Sequence, residues 1–266
     1  MDVIKPMLPN KPRGIPRVDD RRILNGIFWV LRSGAPWRDL PDSYRPPTTC
    51  YNRFARWRRS GVWDRIMDAV AAVHDATVQM IDTSIVRVHQ HGACIANNRG
   101  QHMGRSRGGL TSKIHVVVDG NGLPVQLGLT AGQEHDNQLF SVLLRNLPSR
   151  AWLLADRGCD ADWIRAFVTD RGAWANIPPK CNRKDPICFS PYLYRDRNLI
   201  ERKQCRRVAT RYDKLAANYL AFVKLACIRL WLRVYECTAL DSARSRNRTT
   251  GVRCKSHIGK LGSSGR

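Results

Sequence analysis

Residues 79–90, QMIDTSIVRVHQ, have the composition of a buried β-strand interrupted by a single carboxylate. Met80, Ile81 and Val86 suit the interior of a sheet, yet Asp82 stands among them. An unpaired buried charge is costly, so such a carboxylate usually has a partner, a bound metal or a catalytic role. The alternative is that Asp82 ends the strand and caps a turn, and the remainder of the chain must decide between the two.

The charge of the chain indicates its class of partner. Among 266 residues, 45 Lys and Arg stand against 22 Asp and Glu, which gives a formal net charge of +23. A charge of this size favours a polyanion, because each neutralised phosphate releases counterions. An anionic membrane would require a basic amphipathic anchor, which the sequence lacks, and no apolar run reaches the roughly 18 residues of a membrane span. We therefore expect a nucleic acid and no membrane as the partner.

The cysteines indicate the cellular compartment. There are nine of them, and no CxxC pair occurs, so neither a disulfide framework nor a zinc site is predicted. An odd number of cysteines without a secretory signal fits a reducing cytoplasm.

Residues 1–75 are predicted to form a small helical domain of three amphipathic helices. The first covers residues 19–31 with Asp19 or Asp20 as its N-cap, and the third begins at Val62. The middle helix, capped by Thr48 or Thr49, alternates aromatic and basic side chains: Tyr51, Phe54, Trp57, Arg53, Arg56, Arg58 and Arg59. This pattern favours a helix-turn-helix-like unit whose arginines contact DNA. The alternative is an ordinary helix with a solvated basic face.

Residues 76–237 have the pattern of a mixed α/β sheet. Three strands, among them a hairpin with its turn at Asp119–Gly122, are followed by alternating helices and strands. We expect helices at about 136–146 and over most of 197–236, and a strand at 151–156 covered on both faces. Residues 104–109, GRSRGG, are predicted to be either a mobile DNA-contacting loop or disordered. Residues 238–266 are predicted to be a basic, disordered tail.

Three acidic residues occupy places in this sheet where they could meet. Asp82 lies within the first strand, Asp156 ends the fourth, and Glu201 lies near the start of the last helical region. In such sheets the first and fourth strands are commonly neighbours, and sites form at the carboxyl ends of parallel strands. By contrast, Asp160 and Asp162 are expected only to cap and solvate the following helix.

Clustered carboxylates repel one another unless a cation neutralises them. Oxygen ligands of this kind suit Mg²⁺ or Mn²⁺. Two such ions, about 3.5–4 Å apart, would activate a nucleophile and stabilise the leaving oxygen of a displacement at phosphorus. The sequence thus suggests a metal as the partner of Asp82.

Several stretches together resemble bacterial transposases of the insertion sequence 5 family over roughly residues 5–237. They are GIFWVLRSGAPWRDLP, YNRFARWRRSGVWDR, MIDTS, ADRGCDAD and YRDRNLIER. The resemblance implies a ribonuclease H-like catalytic fold of the DDE type, with Asp82, Asp156 and Glu201 as the metal-binding catalytic triad. It also implies that Tyr194 and Arg197 belong to the signature around the glutamate, which contacts DNA near the active site.

One departure from the family pattern follows Glu201, where the chain is about five residues shorter than the pattern. The family carries a lysine seven positions after the glutamate, on the same helical face. In this chain position 208 is Val, and Lys203 would point about 160° away on a regular helix. The departure puts the activity of this copy in question.

The combined prediction is a bacterial, cytoplasmic and nucleoid-associated transposase. It would bind the terminal inverted repeats of its element and a target duplex, acting as a homodimer with two Mg²⁺ (or Mn²⁺) ions per site. It would cleave a strand at the element's end and join it to the target. The alternatives are a catalytically impaired copy that only binds DNA, and a metal-dependent nuclease that cuts without strand transfer.

Overall fold

The computed structural model describes residues 4–9, 19–44, 46–94, 100–195, 197 and 205–250, with side chains in the last helix to Tyr235. Its helices are α1 (Asp20–Ser33), α2 (Pro47–Arg59), α3 (Val62–Ala71), α4 (Gln90–Ala93), α5 (Phe140–Leu143), α6 (Asp162–Thr169), α7 (Pro191–Tyr194), α8 (Arg206–Ala209) and α9 (Ala216–Thr250). Its strands are β1 (Val78–Val88), β2 (Gly104–Ser106), β3 (Gly109–Asp119), β4 (Pro124–Ala131), β5 (Trp152–Leu154), β6 (Trp174–Asn176) and β7 (Thr210–Arg211).

The antiparallel half of the sheet contains β1, β3 and β4. The predicted hairpin is present, and the Asp119 carboxylate accepts hydrogen bonds from the backbone N–H groups of Asn121 (3.0 Å) and Leu123 (2.8 Å). The mobile or disordered conformation expected for residues 104–109 was wrong for residues 104–106, and the predicted DNA contact stays a prediction. Residues 104–106 form β2 and pair antiparallel with the start of β3, with Ser106 opposite Gly109.

The parallel half of the sheet lies on the other side of β1. β5 runs parallel to the beginning of β1, β6 runs parallel to β5, and β7 pairs with the last two residues of β1. Among the described strands, none pairs with residues 81–86 of β1 on this side. The sheet therefore has a gap beside Asp82, between the end of β5 and the start of β7.

Helices cover both faces of the sheet. On one face, α1, α2, α3 and α9 share a single hydrophobic cluster with Ile114 and Leu129 of the sheet. Within this cluster Phe54 and Phe222 stack with ring centroids 4.6 Å apart. On the other face, α5 and α6 pack against Ile81 and other apolar residues of the sheet. The predicted mixed sheet with flanking helices is confirmed.

Several predicted boundaries differ from the structure. α2 begins at Pro47, whose fixed φ suits the first helical position, rather than after a Thr cap. The helix expected at about 136–146 is present only as the shorter α5. The region 197–236, expected to be mostly helical, contains the short strand β7 between α8 and α9. α9 remains helical through Thr250, which contradicts the disorder expected for residues 238–250. β5 is not covered on both faces throughout, because Trp152 is 37% exposed and packs, with a tilted ring, against the half-exposed Trp174 of β6.

Candidate active site

Strand register brings Asp82 and Asp156 to the same level of the sheet. β1 pairs with β5 so that each partner lies 74 residues further along the chain, as in Met80 and Leu154. Asp82 and Asp156 have the same separation, each two residues beyond the last pair, and Asp156 follows β5 in extended conformation. Because side chains alternate along a strand, both carboxylates lie on the face that carries Met80 and Leu154. Both are partly buried.

A tight turn holds the Asp156 carboxylate in place. Asp156 is the N-cap of the 3₁₀ turn Arg157–Cys159, and its Oδ1 accepts a hydrogen bond from the Cys159 N–H at 3.3 Å. Burial, with the charge and hydrogen bond of Asp156, raises the pKa of the Cys159 thiol and keeps it protonated. Gly158 leaves space beside the carboxylate, since a Cβ there would lie 3.2 Å from Asp156 Oδ1.

Arg197 contacts Asp82 directly. Its Nη2 donates to Asp82 Oδ1 at 2.5 Å, and its Nη1 lies 3.4 Å from the Tyr194 hydroxyl. Burial by itself would lower the pKa of Arg197, but the charges of Asp82, Tyr194 and Asp156 more than offset this and raise it. Of the predicted signature residues, Arg197 therefore contacts Asp82, and Tyr194 contacts Arg197.

Glu201 lies outside the described residues, so the third member of the predicted triad has no position here. Within the described ranges, no three His, Cys, Asp or Glu side chains come together as a candidate metal site. The pair of Asp82 and Asp156 supplies the hard oxygen donors that Mg²⁺ or Mn²⁺ prefers, which fits the predicted ion.

A buried polar row lies behind Asp82, on the opposite face of the sheet. His115 is completely buried, with Nδ1 3.0 Å from Thr83 Oγ1 and Nε2 2.8 Å from Thr130 Oγ1. Burial is the main cause that lowers its pKa to about 4, so the ring is neutral at pH 7. Next to it, Lys113 forms an ion pair with Asp136 at 2.8 Å. Through His115, this row joins Thr83 of β1, next to Asp82, to Thr130 of β4.

The structure gives Asp160 a role that sequence reasoning missed. Its side chain is fully buried and receives Arg165 Nε at 2.9 Å, Arg183 Nε at 2.9 Å and the Lys180 backbone N–H at 2.8 Å. Burial opposes ionisation, but the hydrogen bonds from Arg183, Lys180 and Arg165 lower the pKa of Asp160. The sequence signal for this role was an acidic residue close to several arginines. Such a pattern is common in a chain with 45 Lys and Arg, so it did not single out Asp160. Asp162, by contrast, is an exposed helix-start residue, as expected.

The four arginines of α2 differ in their availability to a partner. Arg56 and Arg59 are exposed, and Arg58 is partly buried. Arg53 is engaged within the protein, because its Nη1 lies 2.5 Å from Asp20 Oδ1 and its guanidinium lies over the Trp57 ring. Of the four α2 arginines predicted to contact DNA, Arg53 is thus held in an ion pair with Asp20.

Comparison with known proteins assigns the family. A model described as "Transposase DDE domain" matches residues 74–231, which is more than half of the chain. This chain belongs to the DDE transposase family. A second model, described as "Putative transposase of IS4/5 family", matches residues 1–67. The resemblance to transposases of insertion sequences is confirmed, and the mixed sheet fits the ribonuclease H-like fold expected of a DDE transposase.

Curated relatives agree with this assignment. The "Putative transposase for insertion sequence element IS6501" of Brucella ovis is 36% identical over 130 residues, 47% of this chain and 100% of the relative. An uncharacterized protein of Sinorhizobium fredii, y4sN, is 38% identical over 95 residues, 36% of this chain and 76% of the relative. The first of these relatives is named for an insertion sequence element, in agreement with the family model.

Solved structures show only a weak likeness. A piggyBac transposase synaptic complex matches with a TM-score of 0.39 and 12% identity, covering 68% of this chain and 46% of that chain. A Mos1 transposase paired-end complex matches with a TM-score of 0.26 and 11% identity, covering 84% of this chain and 82% of that chain. Likenesses of this degree support no argument about function. Among the described residues, no helix is long and apolar enough to span a bilayer.

Proposed function

We propose that this transposase binds the terminal inverted repeats of its element and catalyses strand cleavage and strand transfer there. The observation that supports this proposal is the parallel register of β1 and β5, which pairs Met80 with Leu154, two residues before Asp82 and Asp156, at an opening of the sheet. Asp82, Asp156 and Glu201 would hold two Mg²⁺ ions, with Mn²⁺ as a substitute. When bound, such ions stabilise the charge that develops on the attacking and leaving oxygens at phosphorus.

The DNA contacts would come from two regions. The exposed Arg56 and Arg59 of α2 would neutralise backbone phosphates of the terminal repeat, with the helix-turn-helix-like helices as the binding unit. Near the acidic pair, Tyr194 and Arg197 would meet the phosphate of the strand to be cut. The net charge of +23 supports a DNA partner that contacts both regions. Cleavage of two ends together would require at least a homodimer.

A second candidate is a copy that binds DNA without cutting it. Position 208, seven after Glu201, is a valine that lies 5% exposed in the core shared by α1 and α9. The lysine that the family pattern has at this position is therefore absent, which favours an impaired catalytic site. A third candidate, a nuclease without strand transfer, requires a joining assay to be distinguished.

The test is a cleavage and joining assay with purified full-length protein, the element's terminal repeats and Mg²⁺. We expect terminal nicking and joined product, both lost in Asp82→Asn and Asp156→Asn, while both variants still bind the repeat. Binding without nicking in the unaltered protein would support the impaired copy, and nicking without joining would support the nuclease. Nicking that survives Asp82→Asn would refute the assigned site.

A further inference from the structure

Asn176 forms a two-point clamp on the segment that leads to the signature residues. Its side chain is 2% exposed on the last residue of β6. Its Nδ2 donates to the Ser190 carbonyl at 3.0 Å, and its Oδ1 accepts from the Ser190 N–H at 2.8 Å. Both ends of the amide are therefore used on one backbone residue that is 14 positions away.

Ser190 in turn determines where α7 begins. It is the N-cap of α7, and its hydroxyl accepts a hydrogen bond from the Leu193 N–H at 3.4 Å. Its carbonyl accepts from the Tyr194 N–H at 3.2 Å. Leu193 packs on the sheet cluster that contains Met80 and Leu154, the face on which both carboxylates lie.

The path ends at the acidic pair. From Tyr194 a hydroxyl contact leads to Arg197, and Arg197 reaches Asp82 at 2.5 Å. We propose that Asn176 is a positioning residue, which sets α7 so that Tyr194 and Arg197 lie against Asp82. Its effect on the site would pass through Arg197. A test by Mn²⁺ binding rests on the proposed function of this site, whereas a test by urea unfolding does not.

The sign of the effect on metal binding follows from electrostatics. A guanidinium 2.5 Å from Asp82 opposes a second cation there, since like charges repel more strongly in a partly buried site than in bulk water. Removing Arg197 should therefore raise the affinity for Mn²⁺ by roughly tenfold, the size of effect that one adjacent charge has on a carboxylate. Loosening the clamp should raise it by about threefold, because Arg197 would then spend less time on Asp82.

The experiment measures Mn²⁺ binding to the full chain by electron paramagnetic resonance of the free ion. The variants are Asn176→Ala, Arg197→Ala and the double variant, and Asp82→Asn is included to show that the binding requires Asp82. Asn218→Ala serves as the matched control, because Asn218 is also buried (8% exposed) but lies on α9. We expect Asn176→Ala to raise the affinity, to have no further effect once Arg197 is alanine, and Asn218→Ala to leave it unchanged.

Two results would overturn the proposal. One is an Asn176→Ala protein whose Mn²⁺ affinity is unaltered or reduced, and the other is an effect of the same size in the Arg197→Ala background. If the unaltered chain binds no Mn²⁺, the proposed metal site fails, and urea unfolding of the same four-protein cycle decides about Asn176. Non-additive shifts of the midpoint would then support coupling to Arg197, and additive shifts would refute it.

Discussion

The buried Asp160 carboxylate provides the sharpest test of the structure. Substitution by Asn keeps the shape but removes the charge that Arg165 and Arg183 share, and it turns one acceptor into a donor facing them. Breaking a buried ion pair in this way costs about 3–5 kcal/mol. The two arginine side chains are 15% and 19% exposed, so water can partly solvate them and the lower end, about 3 kcal/mol, is expected. For a chain of this size that corresponds to a fall in Tm of roughly 6–12 °C.

The assay is urea unfolding at pH 7 and at lower pH, with Asp162→Asn as the control. Asp162 contacts the same Arg183 but its side chain is 89% exposed, so its loss should change the unfolding free energy by less than about 0.5 kcal/mol. The folded-state pKa of Asp160 is lowered, so its contribution is present above about pH 4 and lost as the pH falls further. Equal destabilisation by the two variants, or a difference from the unaltered protein that does not shrink in acid, would refute the reasoning.

Three further substitutions test other parts of the structure. The pKa of His115 is about 4 in the folded protein against 6.5 in the unfolded chain. The free energy of unfolding should therefore fall by up to about 3 kcal/mol as the pH is lowered from 6.5 to 4. In urea titrations, His115→Gln should abolish this pH dependence. Gly158→Ala would place a Cβ 3.2 Å from Asp156 Oδ1 and should reduce Mn²⁺ affinity several-fold, whereas Gly108→Ala, where a Cβ meets nothing closer than 3.8 Å, should not. Equal affinities in the two alanine variants would contradict the crowding. Asp119→Ala removes two turn hydrogen bonds and should cost about 1–2 kcal/mol in thermal unfolding, with Mn²⁺ binding unaltered.

Local patterns in the sequence were sufficient for most of the elements. Helical periodicity with Asp19 or Asp20 as the N-cap predicted α1. The structure shows that Asp19 is the cap, since its carboxylate accepts the Arg21 N–H at 2.9 Å. The Asp119–Gly122 turn predicted the β3–β4 hairpin, because the hydrogen bonds that hold such a turn join residues close together in the sequence. The short strand β2 within residues 104–109 was missed because glycine and arginine do not by themselves reveal that a neighbouring strand will pair with them.

The sequence by itself determined which carboxylate was out of place, since Asp82 interrupts an apolar strand whatever its neighbours are. Only the tertiary structure decided what lies beside it. Parallel register aligned Asp156 with Asp82, and a contact across 115 residues brought in Arg197. The burial of Asp160 likewise arises only when the segment after β6 folds back onto α6. Spacing along the chain cannot encode these contacts, because they depend on which elements pack together.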